Sequence, residues 1–477
     1  MYHETGEIKM KILVLNGSPK GDNSVTMTYI KYLKIVFPEH DFKVKHIAQS
    51  IHRLEKDMGA FDELIKEVKH SDVVLWSFPL YFLLVHGNYK RFIELIFERG
   101  QQEAFAGKYT AAFSTSIHFY DHTAHNYLRG ICEDLEMNFV NSYSAGMQDL
   151  LNGQERDNLK LFMDHLAYAF ENKSVTSVVF PKLKQPELKY QPAPLPNKID
   201  QGNQKIIVLT DTESMSDNLR KMLQRFQGSF SKELEVVDLA KIKIAGGCLG
   251  CLKCGMDNQC AYDGKDDVRT IYEEKLNKAD IIVYALTMKD RYFSARWKSF
   301  LDRRFYKTHQ PGLPGKQIGY LISGPLSYEQ NLRQILLASA EIDQANLVDI
   351  ITDEFTSSDH LDRVISEFSY KLISNGTRKA KQPKTFLGVG GGKIFRDEMW
   401  GNLRFIFQAD YKYYKSHGMI DFPQSNFSTQ LMHLFIPFIR LSPIKKQVQE
   451  RTTVMMHKAH DMVLKQEEEK RKKPHKD

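Results

Sequence analysis

The sequence predicts an α/β protein with two doubly wound parallel-sheet domains in tandem, followed by a mostly helical C-terminal extension. The first observation is an internal repeat. Residues 11–116 and 205–324 read as two copies of one segment, because Ile12–Leu15 match Ile206–Leu209. The second observation is that short apolar runs alternate with helix-like patterns in each copy, which is typical of a parallel sheet with helices on its faces.

The two copies differ in length between their first and third strands. The match starts with an offset of 194 residues and continues from Asp72 to Ser116 with an offset of 208, so the second copy has gained about 14 residues. Four of the five cysteines lie in this added stretch. The first copy has a polar loop and no cysteine there, so we expect one composite redox site divided between two related domains.

The first copy shows the order of elements most clearly. Its predicted strands are Lys11–Leu15, Phe42–Ile47, Val73–Trp76, Tyr109–Ser114 and Phe139–Ala145. Its predicted helices cover residues 24–36, 61–68, 89–97 and 126–135. Five strands that alternate with helices in this order fit a flavodoxin-like domain.

The composition divides the chain further. Five prolines and many polar residues between 181 and 203 predict an extended, fairly stiff linker. The glycine run at 388–393 is expected to be a turn, and the spacing from Ile444 to Met462 predicts a helix. The predicted units are a first domain over 1–180, the linker over 181–203, a second domain over 204–376 and a helical extension over 377–477.

Charge and hydropathy exclude several classes of protein. The formal net charge of +7 is small for 477 residues, so a nucleic-acid partner gains no support. No apolar run reaches the roughly 18 residues of a membrane-spanning helix. Because the first residues lack the order of a signal peptide, we expect a cytoplasmic protein without a membrane span.

The loop from Asn16 to Thr26 lies between the first strand and the first helix, where open α/β sheets bind phosphate. Gly17 and Gly21 permit a tight backbone path, hydroxyl and amide side chains follow, and the start of the helix favours an anion. An ordinary helix cap is the alternative. In the second copy, the corresponding stretch 210–218 holds three carboxylates, which would repel a phosphate.

In this loop, Asn16-Gly17-Ser18-Pro19 is followed by a helix start that contains Ser and Thr. This pattern resembles the corresponding loop of the flavodoxin-like NADPH-dependent FMN reductases. Two further matches are Ser77-Phe78-Pro79-Leu80-Tyr81-Phe82 and, on the next helix, Lys90–Glu94. The resemblance implies FMN in the first domain and NAD(P)H as its donor. The implied phosphate contacts are Ser18, Lys20, Asn23, Ser24 and Thr26, and the implied ring contacts are Pro79, Leu80, Tyr81 and Phe82, with the turn Ser114, Thr115 and Ser116.

The cysteine loop, Cys248, Cys251, Cys254 and Cys260, has the spacing C-x2-C-x2-C-x5-C. Four thiolates this close can hold an iron–sulfur cluster or a zinc ion, or they can act as free redox-active thiols. The loop resembles that of the iron–sulfur flavoproteins, a branch of the same family. That resemblance implies a [4Fe–4S] cluster near the flavin, with the two repeats packed as an intramolecular pseudo-dimer.

His118, His122 and His125 follow the fourth strand at spacings that share a helix face. They could bind a metal, donate a proton to a reduced acceptor, or have a structural role as a helix cap or a packed polar contact. We take His118 and Tyr81 as the candidate catalytic residues, because His titrates near neutrality and Tyr81 lies in the ring-contact segment.

The leading hypothesis is therefore an FMN-dependent NAD(P)H oxidoreductase that passes electrons between FMN and a cluster in the second domain. Its partner would be a small-molecule electron acceptor or a redox carrier protein. Two alternatives stay open at this point. One is an electron-transfer flavoprotein without a dedicated small substrate, and the other is a redox sensor that signals through the cysteine loop.

Overall fold

The computed structural model contains two five-stranded parallel sheets. The strands are β1 (Lys11–Asn16), β2 (Asp41–His46), β3 (Val73–Pro79), β4 (Tyr109–Ser116) and β5 (Asn138–Gly146) in the first sheet, and β6 (Ile206–Thr210), β7 (Glu235–Asp238), β8 (Ile281–Thr287), β9 (Gln317–Ser323) and β10 (Asn346–Thr352) in the second. Their orders are β2-β1-β3-β4-β5 and β7-β6-β8-β9-β10. Equivalent strands thus occupy equivalent places, and both orders are flavodoxin-like, as predicted.

The structure describes residues 9–195 and 197–427, together with 429–431, 433, 434, 443, 447, 464, 465, 468 and 469. Both sheets belong to one unit that extends to Tyr414, and the residues from Lys415 onward form another. Most of the helix predicted from Ile444 to Met462 lies outside the described residues. None of the helices in the described ranges is long and apolar enough to cross a membrane.

Helices cover both faces of the first sheet, and several begin at the side-chain caps that favour a helix start. Ser24 accepts a hydrogen bond from the backbone N–H of Met27, and Asp57 accepts one from Ala60. Two helices, α2 and α6, are additional to the predicted set. The helices are α1 (Val25–Val36), α2 (Ile47–Lys56), α3 (Met58–His70), α4 (Gly87–Glu98), α5 (Asp121–Asp134) and α6 (Gly153–Glu171).

The second sheet carries a corresponding set of helices with one difference, the inserted cysteine loop. Ile12 pairs with Val73 in the first sheet and Ile206 with Ile281 in the second, so the two separations are 61 and 75 residues. The helices are α7 (Asp217–Gly228), α8 (Cys254–Asp257), α9 (Val268–Thr270), α10 (Ala295–Arg303), α11 (Gln330–Ile342) and α12 (Ser358–Arg378). A π-helical turn, Ile271–Lys275, continues α9.

The helical C-terminal region begins with α13 (Phe386–Trp400) and α14 (Gln408–Ser416). The glycine run 388–393 lies inside α13, so the expectation of a turn there was wrong. Packing explains the difference. A Cβ added at Gly391 would lie 2.9 Å from the Phe119 ring, so the glycines give α13 a bare face on which first-domain aromatic residues pack.

The described residues of the segment, 181–195 and 197–203, form no regular helix or long strand, and the segment is attached to the second domain. Tyr190 is fully buried in the core of that domain, and its hydroxyl donates a hydrogen bond to Asp362 on α12. The backbone N–H of Ala193 donates to the same carboxylate. The linker therefore adds an apolar side chain to the second core.

The two domains meet where α4 and α10, which follow equivalent strands, pack against each other. The backbone N–H of Gly87 at the start of α4 donates to Asp302 on α10, and the N–H of Ala295 at the start of α10 donates to Glu94 on α4. Both bonds are 2.7 Å long. Each helix thus provides the acidic cap of the other.

This contact predicts the effect of one added methyl group. A Cβ at Gly87 would lie 2.5 Å from Ser299 Oγ and 3.0 Å from the Ser299 backbone nitrogen. We expect Gly87→Ala to lower the free energy of unfolding by about 1–3 kcal/mol, because backbone cannot move aside in a packed interface. Urea unfolding measures this. Gly392→Ala, which meets nothing within 4 Å inside α13, is the control and should be neutral or stabilising.

Candidate active site

The carboxyl ends of β1, β3 and β4 open into a cleft of about 290 Å³ between the first domain, the second domain and the start of the C-terminal region. This is the edge at which doubly wound sheets bind ligands. Most of the predicted cofactor contacts come together here. They are Ser18, Lys20, Ser24, Thr26, Pro79, Leu80, Tyr81, Phe82, Thr115 and Ser116.

Two predicted contacts do not line the cleft. Asn23 is exposed at the end of a short 3-10 turn. Ser114 is fully buried, and its hydroxyl forms a 2.8 Å hydrogen bond with His125 Nε2 behind the end of β4. Ser114 therefore supports the turn that carries Thr115 and Ser116.

The loop after β1 presents hydroxyl groups and a helix start to the cleft. Ser24 is the N-cap of α1 and also lines the cleft, so the cap and the candidate phosphate contact are one residue. The first N–H groups of a helix lack acceptors within the helix, which makes this end of α1 suited to an anion. Thr26 Oγ1 lies 2.6 Å from Thr115 Oγ1 and joins this loop to the end of β4.

The segment after β3 is held in an uncommon backbone conformation. Phe82 and Leu83 have positive φ angles of 34° and 61°, which L-residues rarely adopt outside tight turns. Tyr81 and Leu84 exchange two backbone hydrogen bonds across this turn, and the Leu80 N–H donates to Thr115 O. The turn therefore holds the Tyr81 and Phe82 side chains at the cleft.

The second domain contacts this turn directly. A Cβ added at Gly250 of the cysteine loop would lie 2.4 Å from the Tyr81 hydroxyl oxygen. Lys298 Nζ donates to Tyr81 O at 3.0 Å, and the Arg304 guanidinium lies 4.7 Å from the centre of the Phe82 ring. The cysteine loop and the ring-contact segment thus share one wall of the cleft.

All four cysteines of the loop line a small adjacent cavity together with Arg303 and Tyr262. His86 Nε2, from the first domain, donates to Cys248 O at 2.8 Å and holds the start of the loop. Burial raises the pKa of the Cys248 and Cys254 thiols to about 12. Among the residues that the structure describes, no group of three or more His, Cys, Asp or Glu side chains is arranged to hold a metal ion.

Four thiols lie around one cavity, and thiolates are the ligands of both zinc ions and iron–sulfur clusters. The donor chemistry of the loop therefore suits either group.

The histidines of the loop after β4 have separate surroundings. The His118 side chain is 54% exposed, outside the cleft lining, and its hydrogen bond with Asp121 raises its pKa. His122 is exposed, whereas burial lowers the pKa of His125 to about 4. They form no metal site in the described residues.

Part of the cleft wall is absent from the sequence-based prediction. It comes from the segment after α10 and from the C-terminal region, which folds back over the first domain. The aromatic and basic run Arg303–Gln310 was the available signal, since the first copy has no equivalent. The missed lining residues are Asp302, Arg304, Phe305, Thr308, His309, Gln310, Phe395, Leu403, Ile406 and Phe407.

Residues 10–149 match the family model described as NADPH-dependent FMN reductase. The match spans the strands, the loop after β1 and the turn after β3 that form the first-domain side of the cleft. It supports an oxidoreductase of the NAD(P)H-dependent FMN reductase type. No curated protein matches the chain.

Solved structures resemble about a third of the chain. An NADH:FMN oxidoreductase in its apo form is 20% identical at a TM-score of 0.30, covering 34% of this chain and 90% of that one. A flavoenzyme NAD(P)H:(acceptor) oxidoreductase from Paracoccus denitrificans is 21% identical at a TM-score of 0.30, covering 34% and 98%. An FMN-dependent NADH-azoreductase from Bacillus anthracis in complex with FMN is 14% identical at 0.26, covering 34% and 99%.

The buried histidine behind the cleft predicts a pH dependence of stability. His125 has a folded-state pKa of about 4 against an ordinary value of 6.5. Between these two pH values, His125 is therefore protonated in the unfolded chain and neutral in the folded chain. We expect the free energy of unfolding to fall by roughly 3 kcal/mol from this group as the pH drops from about 6.5 to about 4. His125→Gln should flatten this loss in urea titrations, whereas His122→Gln at an exposed position should leave it unchanged.

Proposed function

We propose that this protein is an FMN-dependent NAD(P)H oxidoreductase in which the cleft between the domains holds FMN and the cysteine loop holds an iron–sulfur cluster beside it. The observation that carries the proposal is the convergence of the phosphate-type loop, the turn after β3 and the cysteine loop on one cleft. When bound, FMN would take up two electrons from NAD(P)H and release them singly or in pairs.

The residues of the first domain divide into two roles. The α1 N-terminus, the hydroxyls of Ser18, Ser24 and Thr26, and the Lys20 ammonium group would bind the phosphate. Pro79–Phe82 would contact the ring and keep water from it. Burial raises the pKa of Tyr81 well above its usual value, so its hydroxyl keeps its proton and can donate a hydrogen bond to a polar atom of the ring.

The cysteine loop would hold the cluster through Cys248, Cys251, Cys254 and Cys260. The loop touches Tyr81 through Gly250, so a thiolate-bound group there would lie beside the ring-contact turn. The exposure of Cys251 gives an electron carrier protein access to the loop from outside. The partner would then be a small acceptor in the cleft or a carrier at this surface.

Addition of NAD(P)H under anaerobic conditions separates this proposal from its alternatives. An NAD(P)H oxidoreductase loses its visible flavin absorbance within the time of catalysis. An electron-transfer flavoprotein or a redox sensor keeps that absorbance until a reduced carrier is supplied.

Ser24→Asp tests the phosphate site without removing the helix cap. Asp caps helices as well as Ser, but its charge would meet the phosphate of FMN. We expect the dissociation constant of FMN to rise tenfold or more, measured by flavin fluorescence on refolded or reconstituted protein. Asn152→Asp changes the N-cap of α6 in the same way outside the cleft lining, and this variant should bind FMN normally. Equal FMN affinity in the two variants would contradict the phosphate site.

The cysteine loop has its own test. We expect Cys251→Ala and Cys254→Ala to remove iron and acid-labile sulfide from anaerobically purified protein while FMN remains bound. Cys132→Ala removes a buried thiol of the first domain and should retain the iron content of the parent. Unchanged iron and sulfide in the loop variants, or none in the parent, would refute the cluster and leave the FMN proposal standing.

A further inference from the structure

The part of the cleft wall that the second domain forms carries a histidine that the proposed function does not use. His309 lies in the cleft lining, and its ring is held edge-on between the rings of Phe395 and Phe407 at centroid distances of 4.7 Å each. The Phe305 ring lies 5.3 Å away. Three aromatic contacts fix the plane of this imidazole at the edge of an open, largely apolar space.

A buried carboxylate determines which nitrogen of His309 carries a proton. Asp410 on α14 is fully buried, and His309 Nδ1 lies 2.8 Å from its Oδ2. Since the carboxylate accepts this bond, Nδ1 carries a proton and Nε2 is left as the ring nitrogen that can exchange one.

Asp410 is itself fixed by further donors. It accepts hydrogen bonds from the backbone N–H of His309, the hydroxyl of Thr308 and the side-chain amide of Gln310. The hydroxyl of Tyr414 donates to His309 O at 2.9 Å. Four of these contacts join a loop of the second domain to α14, so α14 orients His309 for a task at the cleft.

We propose that His309 is the general acid that protonates a quinone-like acceptor bound in this cleft. The proposal rests on the proposed function. A planar apolar acceptor suits walls made of Phe305, Phe395 and Phe407, and its oxygen would lie near Nε2. The quinone would take two electrons and one proton from the reduced cofactor and a second proton from Nε2 of the His309 imidazolium, which keeps its Nδ1 proton hydrogen-bonded to Asp410; the products are the hydroquinone and neutral His309. His309 then regains its proton from water.

The second domain and the C-terminal region would then supply the proton, and the first domain would supply the electrons. His118, the candidate from the sequence, has the same pairing with a carboxylate but lies outside the cleft lining. The two histidines therefore make a matched comparison.

The test compares an acceptor that requires protons with one that does not. His309→Asn keeps an amide donor near the position of Nδ1 for Asp410 and removes Nε2. We expect turnover with a soluble benzoquinone to fall about 100-fold, the usual contribution of a general acid. Turnover with ferricyanide, which accepts one electron and no proton, should stay within twofold of the parent, as should the FMN content and the rate of bleaching by NAD(P)H.

Two outcomes would overturn the assignment. One is an equal fall, or no fall, with both acceptors in His309→Asn. The other is a selective loss with the quinone in His118→Gln and none in His309→Asn. Because ferricyanide turnover is measured on the same sample, a folding defect appears as a loss with both acceptors and counts against the role. Failure of the parent to bind FMN or to oxidise NAD(P)H would instead refute the proposed function.

Discussion

The reciprocal capping of α4 and α10 is the interaction on which the rest of the structure depends. Gly87 N–H reaches Asp302, and Ala295 N–H reaches Glu94, so each helix start is completed by the other domain. The residue preceding Gly87 is His86, which holds the cysteine loop at Cys248 O. A shift of this helix pair would separate the turn after β3 from that loop, because the turn leads into α4 and the loop is held by His86 at the start of α4.

The buried charges at this contact are balanced differently in the two domains. Lys90 lies 2.8 Å from Glu94 and 2.9 Å from Asp290 of the second domain. Burial alone would lower the pKa of Lys90, but these two carboxylates outweigh it and raise the pKa. In the described part of the chain, Lys298 forms an ion pair with Asp302 alone, and burial lowers its pKa. A second N–H of its ammonium group donates to Tyr81 O, so the lysine with fewer carboxylate partners is the one that positions the cleft.

The sequence was informative where function resides in a local segment. The loop Asn16–Thr26, the turn Ser77–Phe82 and the four cysteines each carry a pattern of their own. The first two segments line one cleft, and the cysteines line the cavity beside it. The sequence was uninformative where partners are distant in the chain. His309 and Asp410 are 101 residues apart, and no periodicity links them. The glycine run of α13 was predicted to be a turn for another reason, the low helix propensity of glycine. Close packing on Phe119 outweighs that propensity.

The linker has a consequence for how the cleft behaves on dilution. Tyr190 holds the segment between the domains in the second core, and one covalent chain joins the two sheets. In an assembly of separate subunits, a site shared by two chains disappears when the concentration falls below the dissociation constant. Here the second half of the site does not depend on protein concentration, because a covalent tether holds both halves at a fixed effective concentration. Each domain can also acquire substitutions independently. In a homodimer, by contrast, one substitution appears in both subunits.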